Sequence, residues 1–443
     1  MSDELLKKTA SELGRMIDAG TISPTEITES FLVAIAAHPS TPRIYARTTE
    51  KRARAEAKAA TDRATNGTRL GLLDGVPISW KDLFDTRGAG TEAGSAFLKG
   101  HVPDKDAEVL TNATQAGLVC LGKTHMSELA FSGLGLNPVT ETPPCINDPN
   151  AAPGGSSSGA AASVAFDLAA AAIGSDTGGS VRIPSAWNDL VGLKTTSGLL
   201  PTKGVIPLCA KFDTVGPLCR SVEDAAQLVA VLGGTKPMTL AESGLKGRRI
   251  AICNTLALDD LDTEPKRAFE EAVAALRYAG AEVAELDIPE IGQAMPLSGC
   301  LFTTEAYAQW QPEIDAHSDL MFPEIRDRFL SGKAYTGHEY VRAWQTLDRC
   351  RTAYIERTAG FDAVILPSSA VLPPNIERLE NDSDYYIRAN LLALRNTRIG
   401  NLMGLCGLTL PTKHPSCGLM IYCNPFAERR LLALGADIAP ILT

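Results

Sequence analysis

The chain has 443 residues, of which 44% are hydrophobic and 21% charged, and its formal net charge is -10 at pH 7. This composition is typical of folded globular proteins and excludes disordered and collagen-like chains. A nucleic-acid partner is not expected either, because such binding depends on clustered lysine and arginine, and this acidic sequence has no such cluster.

The ten cysteines are spread along the chain without a CxxC pair, and no group of histidines and cysteines has the spacing of a zinc site. We therefore predict buried thiols and no metal. The N-terminal stretch MSDELLKKTASEL is charged where a secretory signal would be apolar, and no run approaches the roughly 18 apolar residues of a membrane helix. The sequence predicts a cytoplasmic protein with no membrane partner.

Helices are predicted over about 1–64. Ser23 is a typical N-cap, Pro24 suits the first helical position, and Glu26 completes a capping box before apolar residues at helical spacing. A further helix is predicted over about 48–61, where strong helix formers dominate.

From about residue 70, short apolar runs alternate with helical segments. Strands are predicted in GVPISWKD, LVCLGKT and AAAIGS, and later in RRIAICN, EVAELDI, DAVILP, LTLP and GLMIYC. Such alternation predicts an α/β fold with a sheet covered by helices on both faces.

The preferred organisation is one large domain over 1–443, with a core at about 70–235 and a more variable region at about 236–443. The alternative is a second lobe after about 235. Within the variable region, about 299–358 is predicted to be mostly helical, and segments such as about 299–345 are expected to shape the substrate pocket.

Two glycine-serine stretches, GGSSSG at 154–159 and DTGGS at 176–180, raise the question of chemistry. Gly154 and Gly159 have the spacing of a phosphate-binding loop. That motif continues with Lys and Ser or Thr, whereas Ala160 and Ala161 follow here. A nucleotide hydrolase is therefore disfavoured.

The same stretch also fits GxSxG, the nucleophile elbow of α/β-hydrolases, with Ser157 at its centre. His317, His338 and His414 are available as later partners. The elbow requires a strand directly before it, but the preceding INDPNAAP contains two prolines and cannot be that strand. This reading is the runner-up.

A third chemistry uses serines and a lysine. A serine nucleophile needs a base, and a lysine can serve once burial lowers its pKa enough to keep it neutral. Lys81 lies among apolar residues in GVPISWKDLF. Taken alone, it would be assigned to the surface, where most lysines lie.

Together, GVPISWKD, PGGSSSGAA and GSDTGGSVRIP resemble the amidase signature family, whose members hydrolyse carboxylic amides. The similarity continues through GKTHMSELA and FDTVGPLCRSVEDAA. It implies a single α/β/α domain with a central mixed sheet and a Ser-cisSer-Lys triad. By position, Ser180 is the nucleophile, Ser156 the bridging serine after a cis peptide bond from Gly155, and Lys81 the base.

The resemblance also places a substrate site around DTGGS. The backbone N–H groups of Thr177, Gly178, Gly179 and Ser180 can converge into a nest that stabilises an oxyanion. Ala130 either lines the substrate site or is a core alanine.

Three further residues are expected to support the site. Ser157 is a hydrogen-bonding prop. Asp176 and Arg182 flank the second loop, and they either pin it through a charged hydrogen bond or form a local ion pair without a catalytic role.

The predicted function is hydrolysis of a small carboxylic amide to an acid and ammonia or an amine through an acyl-enzyme, with no cofactor. One alternative is the glutaminase subunit of a tRNA-dependent amidotransferase, although such subunits tend to read GGSIRQP where this chain has GGSVRIP. Another is a non-catalytic binding protein on the same fold. A homodimer is compatible with the sequence, but no motif predicts one.

Overall fold

A central sheet runs through the computed structural model, which describes residues 2–240 and 244–442. The strands in these ranges are β1 (Tyr45–Thr48), β2 (Pro77–Lys81), β3 (Val119–Thr124), β4 (Ala172–Asp176), β5 (Val191–Lys194), β6 (Thr214–Cys219), β7 (Arg249–Cys253), β8 (Glu282–Leu286), β9 (Ala363–Pro367), β10 (Cys406–Pro411) and β11 (Gly418–Cys423). Their order across the sheet is β1-β3-β2-β4-β6-β5-β10-β11-β9-β7-β8.

Helices connect these strands. In the described part of the chain they are α1 (Ser2–Leu6), α2 (Ala10–Asp18), α3 (Pro24–Ala37), α4 (Thr41–Ile44), α5 (Glu50–Thr65), α6 (Glu108–Gln115), α7 (Ser158–Ala165), α8 (Arg182–Trp187), α9 (Val222–Leu232), α10 (Thr263–Tyr278), α11 (Pro289–Ala294), α12 (Thr304–His317), α13 (Pro323–Leu330), α14 (Gly337–Thr358), α15 (Ile376–Asn381), α16 (Ser383–Leu402) and α17 (Glu428–Leu442). None of them is both long and apolar enough to cross a bilayer.

The sheet is mixed. β2 pairs in parallel with β3 and β4, and β7 pairs in parallel with β8 and β9, while the other neighbours are antiparallel. Every residue of β2, β3, β4 and β6 is buried, which requires cover on both faces. The predicted α/β fold with a helix-covered mixed sheet is confirmed.

The N-terminal helix prediction is confirmed in detail. Ser23 caps α3 and forms the capping box with Glu26, and Pro24 begins the helix. The next helix was placed too early, because Thr48 belongs to β1 and pairs with Gly122, so α5 starts at residue 50.

Three strands were not predicted from the sequence. β1 is only four residues long, while β5 (VGLK) and β6 (TVGPLC) contain glycine or proline, which weakens a strand signal. Pairing with neighbours holds them in place, and β5 bonds to β10, which joins the two halves of the sheet.

The division into domains stays a prediction. The ten cysteines are free and buried, as predicted.

The strand order determines where the signature residues lie. β2 and β4 are parallel neighbours, so their carboxyl ends meet at the same edge of the sheet. β2 ends at Lys81, and β4 ends at Asp176, directly before the second glycine-serine stretch. The first stretch leads into α7, which packs against both strands. The fold therefore gathers all three signature segments at one edge.

Candidate active site

Lys81 is fully buried at the end of β2 and is held by two hydroxyls. Its Nζ donates to Ser156 Oγ at 2.7 Å and to Ser175 Oγ at 2.8 Å. Burial lowers the pKa of Lys81 to about 7, although the carboxylates of Asp176 and Asp213 act in the opposite direction. A substantial fraction of this amine is therefore neutral at neutral pH and able to accept a proton.

Ser156 is fixed by the backbone around it. The peptide bond from Gly155 to Ser156 is cis, the Gly155 N–H donates to the carbonyl of Gly133 at 2.8 Å, and the Ser156 carbonyl accepts from the Ser127 N–H at 3.2 Å. A side chain at position 155 does not fit, because a Cβ there would lie 2.5 Å from the Gly135 nitrogen. The loop thus holds the Ser156 hydroxyl against the buried lysine.

Ser180 lies in the loop after β4, at the wall of a pocket, and is 3% exposed. Its carbonyl accepts from the Ser157 N–H at 3.2 Å, and the Ser157 hydroxyl donates to the Ser175 carbonyl at 3.3 Å. Ser157 therefore ties the two serine loops together. The Ser180 hydroxyl makes no hydrogen bond with any described residue.

The backbone before Ser180 presents free donors. The N–H groups of Gly178, Gly179 and Ser180 donate to no residue in the described ranges. Gly179 has a φ of 142°, and a Cβ there would lie 2.1 Å from the Thr397 Oγ1, so glycine is required. At Gly178 an added Cβ would make only an ordinary contact of 3.6 Å with Leu394.

Thr177 is anchored by a carboxylate that the sequence reasoning missed. The Thr177 hydroxyl donates to Asp213 Oδ1 at 2.5 Å, and Asp213 Oδ2 also accepts from the N–H groups of Leu208 and Cys209 at 2.9 and 3.1 Å. Burial raises the pKa of Asp213, although these hydrogen bonds oppose the rise. Ser175 was missed as well. Asp213 and Ser175 lie in stretches that resemble the family, but neither residue belongs to a recognisable motif.

Asp176 and Arg182 form a fully buried ion pair. The guanidinium donates to both carboxylate oxygens at 2.8 and 3.0 Å and continues to Tyr422 and Asn401 at 2.6 Å each. Burial alone would raise the pKa of Asp176, but the guanidinium holds it well below its ordinary value. Asp176 also accepts from the Val181 N–H at 3.1 Å, which fixes the backbone next to Ser180.

A narrow pocket, partly open to solvent, leads to Ser180. Ala130 lies in its wall with a left-handed φ of 61°. Two arginines in the wall were not anticipated, because they come from α13 and α16, far from the signature segments. The lining residues are Ala130, Phe131, Ser132, Thr177, Gly178, Ser180, Leu208, Phe302, Arg328, Leu394 and Arg398.

The nucleophile-elbow reading finds no support in this geometry. Ser157 is fully buried, its hydroxyl donates to a backbone carbonyl, and the residues before it are not in a strand. His414, one of its three candidate partners, pairs with Glu271 at 3.0 Å instead.

Comparison with known proteins confirms the family that the sequence resembles. The model of the family named Amidase matches residues 26–432. The chain belongs to the amidase signature family. As an amidase, it is similar to 2-amino-5-chloromuconic acid deaminase from Comamonas testosteroni, with 33% identity over 88% of this chain and 87% of that protein.

Two further similarities cover nearly the whole amidase. A glutamyl-tRNA(Gln) amidotransferase subunit from Anaeromyxobacter dehalogenans is 37% identical over 99% of this chain and 98% of its own length. A solved structure described as an amidase superposes with a TM-score of 0.89 and 28% identity, covering 98% of this chain and all of that one. The protein is an amidohydrolase with the fold of this family.

Proposed function

We propose that this amidase hydrolyses a small carboxylic amide through an acyl-enzyme on Ser180, with Ser156 as proton relay and Lys81 as base. The observation that carries the proposal is the hydrogen bond of 2.7 Å between a fully buried lysine and a buried serine hydroxyl. A buried amine with a lowered pKa is the base that such a serine requires.

In the first half of the reaction, Ser180 Oγ attacks the amide carbon while its proton passes to Ser156, whose own proton passes to Lys81. The tetrahedral intermediate then collapses. The C–N bond breaks, an ester forms on Ser180, and the proton returns along the same path to the departing nitrogen. Among the described residues the Ser180 hydroxyl has no hydrogen-bond partner, and catalytic hydrogen bonds commonly tighten only when substrate binds.

In the second half, water takes the place of the amine. It gives a proton to the relay as it attacks the ester carbonyl, and the proton returns to Ser180 as the acid leaves. The proton transfers of both halves use side chains of this chain and water.

The negative charge on the intermediate needs donors aimed at it. We assign this role to the free N–H groups of Gly178, Gly179 and Ser180, with Thr177 held in place by Asp213. One donor of this kind typically contributes about 3 kcal/mol to transition-state stabilisation. Ala130, which also lines the pocket, would contact the substrate there.

The direct test is ammonia release from a panel of aliphatic, aryl and dicarboxylic monoamides. The purified protein should hydrolyse at least one of them, and the Ser180→Ala variant should hydrolyse none. A folded protein that releases no ammonia and does not react with a fluorophosphonate probe would instead be a binding protein on this fold.

A second candidate is the glutaminase subunit of a tRNA-dependent amidotransferase. It is favoured by the 37% identity to a glutamyl-tRNA(Gln) amidotransferase protein. Copurification of partner chains together with glutamine hydrolysis would support it. Hydrolysis of another amide by the isolated chain supports the stand-alone enzyme.

Two further predictions accompany the proposal. A cytoplasmic location is supported by ten free, buried thiols, which suit a reducing compartment. A homodimer stays a prediction that size-exclusion chromatography with light scattering can test.

A further inference from the structure

The wall of the Ser180 pocket contains an arginine that has no partner in the described part of the chain. Arg398 lies on α16 and is only 7% exposed. Its guanidinium has no hydrogen bond, ion pair or ring contact with any residue in the described ranges. An isolated buried cation is costly, so proteins seldom keep one without a counter-ion.

A second arginine faces the same space. Arg328 on α13 donates to the carbonyl of Phe131 at 2.8 Å, and its guanidinium carbon lies 4.3 Å from the centre of the Phe131 ring. These contacts hold the side chain in position and leave other N–H donors unused, because a guanidinium carries five.

The two cations also act on each other. Burial lowers the pKa of Arg398 to about 9, and the charge of Arg328 contributes to the shift. Burial likewise lowers the pKa of Arg328 to about 10, opposed by Tyr386. Both guanidinium groups stay charged at neutral pH, so the pocket wall carries two positive charges.

No carboxylate among the lining residues balances these charges. Glu128 is a buried acid close in sequence to the pocket wall, but its oxygens accept from the Ser95 hydroxyl at 2.7 Å and from the Phe322 N–H at 2.9 Å. The Tyr386 hydroxyl is likewise engaged, donating to Ser132 at 2.8 Å. No carboxylate in the described ranges forms an ion pair with either arginine, which leaves the pocket able to take an anionic ligand.

We infer that the substrate carries a carboxylate, which Arg398 and Arg328 bind while the amide is presented to Ser180. The inference rests on the proposed function and specifies its substrate class. Guanidinium groups match carboxylates in charge and in planar geometry, and they bind them through paired hydrogen bonds. Because both arginines and Ser180 line one narrow pocket, the carboxylate lies a few bonds from the scissile amide.

The same lining separates this substrate class from free glutamine. Glutamine carries an ammonium group next to its carboxylate, and a matching site would present an acid to it. The described lining presents the apolar Leu394 and Phe302 and two cations instead. A monoamide of a short dicarboxylic acid, or a short N-acyl amino acid, fits this surface better.

Paired substrates test the inference. Succinamate carries its carboxylate on the acyl side, and in 4-methylpentanamide an uncharged isopropyl group replaces it. N-acetylglycine and N-isobutylacetamide form the equivalent pair for the amine side. In one of the two pairs we expect kcat/KM to be about 100-fold higher for the anion than for its uncharged partner. Hydrogen bonds to a charged group provide an effect of this size. The preferred pair shows on which side the carboxylate lies.

Variants assign the effect to the arginine. Arg398→Met should lower kcat/KM for the preferred anion about 100-fold and change that for its uncharged isostere by less than about threefold. Arg398→Lys keeps the charge but not the paired donors. Its kcat/KM for the preferred anion should lie between those of the wild type and Arg398→Met. Arg388→Met on the exposed side of α16 is the matched control and should leave both values unchanged. Equal losses on anion and isostere in a folded Arg398→Met protein overturn the inference.

Binding separates this inference from the proposed chemistry. Calorimetry with the Ser180→Ala protein should detect binding of the preferred anion, and adding Arg398→Met should weaken it about 100-fold. If wild-type Ser180 reacts with a fluorophosphonate but isosteres are hydrolysed as fast as anions, the inference fails and the proposed function stands. If the anion binds but Ser180 never reacts, the proposed function fails and the carboxylate site stands.

Discussion

Lys81 Nζ donates a hydrogen bond of 2.7 Å to Ser156 Oγ, and both side chains are fully buried. A lysine is almost never this buried without a carboxylate partner, and here its two close partners are hydroxyls. The site thus retains an amine whose pKa lies near 7 at the cost of burying it. Such a costly placement is typical of functional groups.

The pH dependence of Ser180 reactivity tests the role of this amine. Below about pH 7 Lys81 is protonated and cannot accept a proton, so the rate should rise with pH through about 7 and then level off. Fluorophosphonate labelling of Ser180 measures this without knowledge of the substrate. A labelling rate that stays constant from about pH 6 to about pH 10 would contradict the assignment.

Ser175 offers a second test of how Lys81 is held. Ser175→Ala removes one acceptor from the ammonium form, so we expect the midpoint of the pH profile to move to lower pH and the plateau rate to fall about tenfold. Ser158→Ala is the matched control, because that hydroxyl makes only a 3.5 Å contact with the His125 carbonyl. An unchanged midpoint in Ser175→Ala would count against a positioning role.

The two serines to which we assign catalytic roles should respond differently to truncation. Ser180→Ala removes the attacking atom and should abolish both turnover and probe labelling. Ser156→Ala removes only the relay, and the rate should fall by about 100-fold to 10,000-fold without reaching zero. Single-turnover kinetics distinguishes the two, and full activity in Ser180→Ala would rule out the nucleophile.

The buried pair between Asp176 and Arg182 should contribute strongly to stability. Asp176→Asn leaves a buried guanidinium without its charge partner, which typically costs about 3–5 kcal/mol of unfolding free energy. Asp62→Asn is the matched control, because its exposed ion pair with Lys58 contributes no more than about 0.5 kcal/mol. Urea denaturation measures both, and equal losses would show that the buried network is weak.

Local sequence patterns were enough to predict much of the fold. The strand ending at Lys81, the capping box at Ser23 and the helical region from about 299 were all predicted, because each depends on residues close together in the chain. β5 and β6 were missed because only pairing with distant strands makes VGLK and TVGPLC extended.

The residues of the site likewise divide into those that the sequence predicts and those that it does not. The resemblance to a family identified Lys81, Ser156 and Ser180 as candidates, and the structure places them at one edge of the sheet. Arg328 and Arg398 could not be found, since nothing in α13 or α16 distinguishes a pocket arginine from the surface arginines that surround it in sequence. Only the fold shows that one of them is buried and has no partner among the residues that the structure describes.

The most direct test of the acyl-enzyme is mass spectrometry of the protein quenched during turnover. With an amide that is turned over, or an activated ester of the same acid, we expect a mass increase equal to the acyl group, located by peptide mapping on Ser180 and absent from Ser180→Ala. The adduct should accumulate more slowly in Lys81→Met. Turnover without an adduct on Ser180, or an adduct on Ser157, would contradict the mechanism.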